Sequence, residues 1–202
     1  MRKIVGEIAK VDKRFAPIIE ASPLCNLGSS DLEVSHFESL VSSVISQQLA
    51  TAAARTIKNR FISECGSVTP RQVAKLEFDQ LRAVGLSAAK AKTISGLAEA
   101  ALTNTINFKN LHKQSDDEVY RDLTALWGIG PWTVDMFMMF QLGRLDIWPT
   151  GDLGVRRGWE KVHKLKDEIT PIQLNKRGAK FRPHRSVVAW YCWRALDNQI
   201  TR

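Results

Sequence analysis

Cysteine is scarce in this chain, and it has no long hydrophobic run. The cysteines at 25, 65 and 192 are far apart, and no two of them have metal-ligand spacing. An odd number of distant cysteines argues against a disulfide framework, so we expect reduced thiols packed in the interior. The longest apolar stretch, around Met136 to Phe140, is far too short to cross a bilayer. The N-terminal segment reaches a charged residue too soon for a signal peptide. We therefore expect a soluble, intracellular protein.

Acidic residues are outnumbered by basic ones. The chain has 21 Asp and Glu against 29 Lys and Arg, which gives a formal net charge of +8. Clustered Lys and Arg can replace the counterions that condense on phosphates, so this balance favours a polyanionic partner such as nucleic acid. Many basic proteins only have solvated basic faces, so the charge needs a motif before it becomes an argument.

The alternation of apolar and polar residues that is typical of strands is also absent. Apolar residues instead recur at helical spacing, and capping residues precede several of these runs. We predict an all-α fold of short helices in a single compact domain over 1–202. The middle of the chain, about 55–125, is expected to form one helical lobe, and the two ends of the chain a second.

A glycine turn between two predicted helices is the first candidate site. Gly128 and Gly130 flank Ile129, and the next helix begins at Pro131. Glycine permits a positive φ and a close approach of the backbone to a ligand, and a helix start offers N–H groups and a positive dipole end to a phosphate. Ile129 is expected to anchor the turn in the core. The pattern is typical of a helix-hairpin-helix, which binds the DNA backbone without reading sequence.

Asp152 opens another predicted helix, one helix and a short loop after Trp132. The simplest interpretation of such an aspartate is a helix N-cap. However, the intervening apolar helix is expected to return the chain beside the hairpin. The negative charge of a carboxylate there would not be stabilised by bound phosphates, which are also negative. A carboxylate in a phosphate-binding cleft indicates a catalytic role, so Asp152 is the candidate catalytic residue.

These segments resemble the helix-hairpin-helix DNA glycosylases, specifically the branch that removes alkylated bases (DNA-3-methyladenine glycosylase II, AlkA-like). The resemblance covers about residues 35–200. It rests on the turn Ser46-Gln47-Gln48, the hairpin 126–132, Trp148-Pro149 with Asp152, and the run 181–194.

The resemblance implies two helical lobes that flank a DNA-binding cleft, with the target base flipped out of the duplex. It implies hydrolysis of the N-glycosidic bond of alkylated bases such as 3-methyladenine and 7-methylguanine. Asp152 would stabilise the oxocarbenium-like sugar and position the water. The implied partner is double-stranded DNA that contains alkylated bases, with no membrane involved and a monomeric enzyme. The location would be cytoplasmic in a bacterium and nuclear in a eukaryote.

The resemblance also assigns roles to individual residues. Trp132 stands where strand-cleaving relatives have a lysine, so no Schiff base is expected, and its ring is a candidate wall of a pocket for a cationic base. Trp148 and Phe37 are further pocket candidates, with plain packing as the alternative. The Gln47-Gln48 turn is expected to enter the minor groove, where Gln48 would fill the gap left by the flipped base.

No cofactor is expected to be required. Iron–sulfur relatives have four cysteines near the C-terminus, which this chain lacks, so the resemblance excludes a cluster. Family members bind a monovalent cation through main-chain carbonyls of the hairpin. The matching positions for a Na⁺ or K⁺ ion are Thr124, Leu126 and Gly128.

Two other interpretations stay open. The chain could be a helix-hairpin-helix DNA-binding module without catalysis, although such a module does not require Asp152. It could also be a glycosylase for another lesion, although Trp132 in place of lysine disfavours the oxidised-base type. Arg182 and Arg185 precede the last predicted helix. One of them is expected to brace Asp152 or a helix end, with DNA contact as the alternative.

Overall fold

The computed structural model of the protein describes residues 1–28 and 34–197. Helices and their connections make up these ranges, which contain no strand, so the all-α prediction is confirmed. None of the helices described is long and apolar enough to span a membrane. The α-helices are α1 (Arg2–Val11), α2 (Ala16–Ala21), α3 (His36–Ser46), α4 (Thr51–Cys65), α5 (Pro70–Val73), α6 (Phe78–Ala83), α7 (Ala88–Leu102), α8 (Asp116–Thr124), α9 (Pro131–Phe140), α10 (Leu153–His163), α11 (Pro171–Gly178) and α12 (Arg185–Asp197).

Several helices begin at caps that the sequence already indicates. In each, a hydroxyl oxygen accepts a hydrogen bond from the backbone N–H three residues further on, which satisfies a donor that the helix itself cannot pair. These caps start α3, α5, α7, α8 and α11, and they are Ser35, Thr69, Ser87, Ser115 and Thr170.

Helix ends were harder to predict than helix starts. The apolar periodicity of α3 extends to Leu49, but the helix ends at Ser46 because Gln48 has a left-handed backbone with φ of 55°. α8 ends at Thr124, four residues before the first glycine of the hairpin turn, Gly128. Apolar periodicity can continue past the end of a helix, as it does to the exposed Leu49, so it does not mark the last helical hydrogen bond.

The chain divides into two compact units. The end unit combines Met1–Ser30 with Met138–Arg202, and the middle unit is Asp31–Phe137. From the sequence, the middle lobe was expected at about 55–125. The middle unit of the structure begins earlier because α3 packs on α4 and α7.

In the end unit, α10 packs along α12. The two backbones approach closely at Gly158, where a Cβ atom would overlap the carbonyl oxygen of Cys192. Trp159 and Tyr191 are fully buried in the core around these helices. This packing fixes the N-terminal turn of α10 against α12, and Asp152 caps that turn.

Candidate functional site

The hairpin turn of the middle unit joins α8 to α9. Ile129 is buried, as expected, and its N–H donates to the carbonyl of Leu126 at 3.2 Å. Gly128 has a φ of 82°, and a Cβ atom there would overlap the side chain of Thr93. Gly130 differs, because a Cβ atom on it would meet nothing within 4 Å. Gly128 is therefore required by the fold, whereas Gly130 leaves open space in front of α9.

The turn after α3 lies against this hairpin within the middle unit. Gln47 Nε2 donates to Thr133 Oγ1 at 2.9 Å, in the first turn of α9. Gln47, Gln48, Gly130, Trp132 and Thr133 line one cavity of about 470 Å³. The structure thus brings together four of the predicted DNA- and base-contacting residues in a single recess.

Gln48 and Trp132 are the side chains of this recess that solvent reaches most readily. Gln48 is exposed, and its side chain makes no hydrogen bond with another described residue. Trp132 is 43% exposed, which is too much for a residue whose only role is to fill the core. Both side chains are accessible from solvent, while the side chain of Gln47 is hydrogen-bonded to Thr133.

Lys90 of α7 was missed by the sequence analysis. Its Nζ donates to the carbonyl of Ile45 at 2.8 Å and to that of Gln47 at 2.7 Å. The ammonium group therefore caps the C-terminal end of α3 and holds the turn that presents Gln48. Burial lowers the pKa of Lys90. No signal in the sequence distinguishes it from the solvated lysines of an Ala- and Lys-rich helix.

Asp152 lies in the end unit as the N-cap of α10. Its Oδ1 accepts the N–H of Val155 at 2.7 Å and the indole Nε1–H of Trp193 at 2.9 Å. The capping interpretation is thus confirmed, and the carboxylate is oriented by a second donor that a cap does not need. The thiol of Cys192 is completely buried nearby, and burial together with the charge of Asp152 raises its pKa.

Trp193 is a second residue whose contact with Asp152 was not predicted from the sequence. Its ring stacks on Phe140, with centroids 5.8 Å apart and planes inclined by 26°. Gly154 makes room for the indole, because a Cβ atom there would come within 2.8 Å of the Trp193 ring. Phe140, Gly154 and Asp152 together fix the position of this tryptophan.

The other two predicted pocket residues make the contacts of core residues. Trp148 is 9% exposed, and its Nε1 donates to the carbonyl of Leu174 at 3.1 Å. Phe37 is 3% exposed, packs edge-on against Phe108 and does not line the recess that holds Trp132. Their role as walls of a base pocket stays a prediction.

Arg182, just before α12, and Arg185, its first residue, both pair with Asp146. Arg185 Nε donates to Asp146 Oδ1 at 2.7 Å, and Arg182 NH1 donates to Asp146 Oδ2 at 3.1 Å. Both side chains therefore brace the loop that follows α9. Because this pair is separated by about forty residues of chain, nothing local in the sequence indicates it.

Comparisons with known proteins agree with this geometry. The family model described as "HhH-GPD superfamily base excision DNA repair protein" matches residues 41–183. DNA-3-methyladenine glycosylase 1 of Schizosaccharomyces pombe is 37% identical over 162 residues, which covers 78% of this chain and 71% of that protein.

Two solved structures are similar over nearly the whole chain. The S. pombe 3-methyladenine DNA glycosylase Mag1 in complex with abasic DNA has a TM-score of 0.86 at 29% identity, and the match covers 99% of both chains. A DNA-3-methyladenine glycosidase from Bacillus halodurans has a TM-score of 0.83 at 32% identity, with 95% of this chain and 88% of that one covered. The family inferred from the sequence is confirmed: the chain belongs to the HhH-GPD superfamily of base excision DNA repair proteins.

Proposed function

We propose that this chain is a monofunctional DNA glycosylase that hydrolyses the N-glycosidic bond of alkylated bases in duplex DNA. The observation that carries the proposal is the carboxylate of Asp152, which two donors, Val155 N–H and Trp193 Nε1–H, hold in one orientation. The names of the S. pombe and B. halodurans relatives support 3-methyladenine as the class of substrate.

The chemistry follows from the charge of the substrate. A base alkylated on a ring nitrogen is cationic, so it leaves as a neutral molecule when the bond to C1′ breaks. Asp152 stabilises the positive charge that develops on the sugar and takes a proton from the water whose oxygen adds to C1′. The two hydrogen bonds at Oδ1 keep the carboxylate in place, so little reorganisation is needed as that charge develops.

The middle unit supplies the DNA contacts in this proposal. The hairpin and the start of α9 bind backbone phosphates, and Gln48 fills the gap left by the flipped base. Trp132 carries no amine, so no Schiff base forms and the product is an intact abasic site. We also propose that the enzyme acts as a monomer inside the cell, where its DNA substrate is.

A monovalent cation at the hairpin is part of this proposal. No three His, Cys, Asp or Glu side chains gather as metal ligands in the residues described, so a cation there would depend on carbonyl oxygens. The carbonyl of Leu126 accepts the N–H of Ile129, and that of Gly128 is 3.5 Å from Gln47 Nε2. Each of these carbonyl oxygens has a second lone pair, and we propose that together with the carbonyl of Thr124 they bind Na⁺ or K⁺, which would add a positive charge beside a bound phosphate.

Release of bases from a methylated duplex, with and without borohydride, tests the proposal directly. We expect free 3-methyladenine or 7-methylguanine, an intact strand with an abasic site, and no covalent protein–DNA adduct. A covalent adduct would contradict the monofunctional assignment. Binding of the methylated duplex without release of any base would favour the non-catalytic module, and release of a different lesion only would favour the second alternative.

Trp132→Ala is expected to impair the release of cationic bases more than that of neutral hypoxanthine. The expected difference is about 2- to 30-fold, which corresponds to a cation–π energy of about 0.5–2 kcal/mol. Since Trp132 is 43% exposed, its removal should change the melting temperature little. Trp127→Ala is the matched control, because this tryptophan of the same turn is 54% exposed and does not line the recess. Equal losses for both bases, together with a large fall in melting temperature, would mean that Trp132 is a packing residue.

Gly128→Ala and Gly130→Ala should have different effects. Gly128→Ala is expected to destabilise the fold by about 1–2 kcal/mol or more, because alanine is unfavourable at a left-handed φ and would also overlap Thr93. Gly130→Ala should leave the melting temperature unchanged and weaken binding to an undamaged duplex, because its Cβ atom enters the open space that a phosphate would occupy. If Gly130→Ala binds duplex like the wild type, the hairpin is not the phosphate site.

A further inference from the structure

A second recess lies in the end unit, and this one is basic. It is a cavity of about 390 Å³ lined by Arg14, Trp159, His163, Lys176, Arg177 and Lys180. His163 ends α10, whereas Asp152 caps its start. At a rise of 1.5 Å per residue this helix is about 16 Å long, so the recess is separate from the candidate catalytic carboxylate.

The charges around this recess are unbalanced. Four of the lining side chains are cations, and none is acidic. Beneath them lies the carboxylate of Asp12, which is buried and accepts hydrogen bonds from Arg14 at 2.8 Å, Lys180 at 2.9 Å and His163 at 3.1 Å. Burial alone would raise the pKa of Asp12, but these donors outweigh burial and hold it well below its usual range. Asp12 is therefore ionised, and it neutralises one of the four cations.

Lys176 and Arg177 carry two of the three positive charges that remain. Both are exposed on the last turn of α11, and neither side chain makes a hydrogen bond or ion pair with another described residue. In contrast, Arg14 and Lys180 are already positioned by Asp12. The recess thus combines two fixed cations with two that have no partner in the described part of the chain.

Trp159 forms part of the wall of the recess. It lines the recess and stacks on His163, with ring centroids 4.0 Å apart. The indole is 1% exposed, yet its Nε1–H has no hydrogen-bond partner in the described ranges. Because Nε1 is itself buried, the indole gives the recess a rigid aromatic wall and not a hydrogen-bond donor.

We propose that this basic recess binds a phosphate group, with Lys176 and Arg177 as its principal contacts. The volume falls within the range of small-ligand sites, and guanidinium and ammonium groups are the side chains that recognise phosphate. The phosphate could belong to a DNA backbone or to a free phosphate or nucleotide. The proposal does not depend on the glycosylase activity.

The test compares two double variants of the full chain. Lys176→Ser with Arg177→Ser removes the two unpartnered cations, whereas Lys10→Ser with Lys166→Ser removes the same charge from exposed sites of the end unit that do not line the recess. Affinity for inorganic phosphate is measured by calorimetry at constant ionic strength. Affinity for an undamaged duplex is measured over a range of salt concentrations.

We expect the recess variant to bind phosphate at least about tenfold more weakly, while the control variant stays like the wild type. If the duplex is the source of the phosphate, its affinity should also depend less on salt. The slope of log affinity against log salt concentration should fall in magnitude by about 0.9 for each DNA phosphate that the variant no longer neutralises. A weaker affinity in the phosphate arm alone would identify a free phosphate or nucleotide as the ligand. If the recess variant matches the control in both arms, the proposal is wrong. Base release from methylated DNA, measured in parallel, reports on the proposed function separately.

Discussion

Asp152→Asn is expected to lower the rate of base release by about a hundredfold or more and to leave duplex binding intact. Asparagine keeps the shape of the side chain and an oxygen that can accept from Val155 N–H and Trp193 Nε1–H. The cap and the packing of α10 should therefore survive. Only the negative charge that stabilises the sugar cation, and the base that takes the proton of water, are removed. Single-turnover release from a methylated duplex measures the effect.

The matched control for the capping role of Asp152 is Thr170→Ala. Thr170 caps α11 in the same unit, and its removal should cost about 1 kcal/mol of stability without changing the rate of release. Melting temperatures of both variants separate stability from chemistry. Turnover of the Asp152→Asn enzyme near the wild-type rate would make Asp152 a cap only, and the catalytic assignment would have to be withdrawn.

Trp193→Phe is expected to lower the rate of release by about tenfold or more. Phenylalanine keeps a ring that can stack on Phe140, but it lacks the N–H that donates to Asp152 Oδ1 at 2.9 Å. A hydrogen bond to a charged group contributes about 1.5–3 kcal/mol, so its removal leaves the carboxylate less well oriented. Because the indole acts through Asp152, Trp193 is a positioning residue.

Trp190→Phe is the control for this prediction. Trp190 lies on the same helix and is largely buried, but its ring contacts Tyr191 and Arg194 rather than Asp152. A fall in kcat in the Trp193 variant alone, with duplex affinity unchanged, supports positioning. Similar falls in both variants, in proportion to their melting temperatures, would assign Trp193 to packing.

The features that the sequence determined by itself depend on contacts within a few residues. A hydroxyl three residues before its partner N–H predicts a helix start, and the caps at Ser35, Ser115 and Thr170 are in place. The same local chemistry makes Asp152 the N-cap of α10. The hairpin motif, with Ile129 between two glycines, also consists of adjacent residues. These short segments were also sufficient to identify the family.

Tertiary structure decided which of these residues meet a partner from elsewhere in the chain. Gly128 is required because Thr93 of α7 lies against it, and Lys90 of the same helix holds the turn that presents Gln48. Trp193 reaches Asp152 only because α12 packs along α10.

Arg182 and Arg185 have a structural use for the same reason, since their partner Asp146 lies in a loop far away in the sequence. The basic recess likewise collects Arg14, His163 and Lys176 from three distant segments. Local patterns encode helices and caps because those interactions span three or four residues. Contacts between residues of different helices depend on how the helices pack, and they produce no periodic pattern in the sequence.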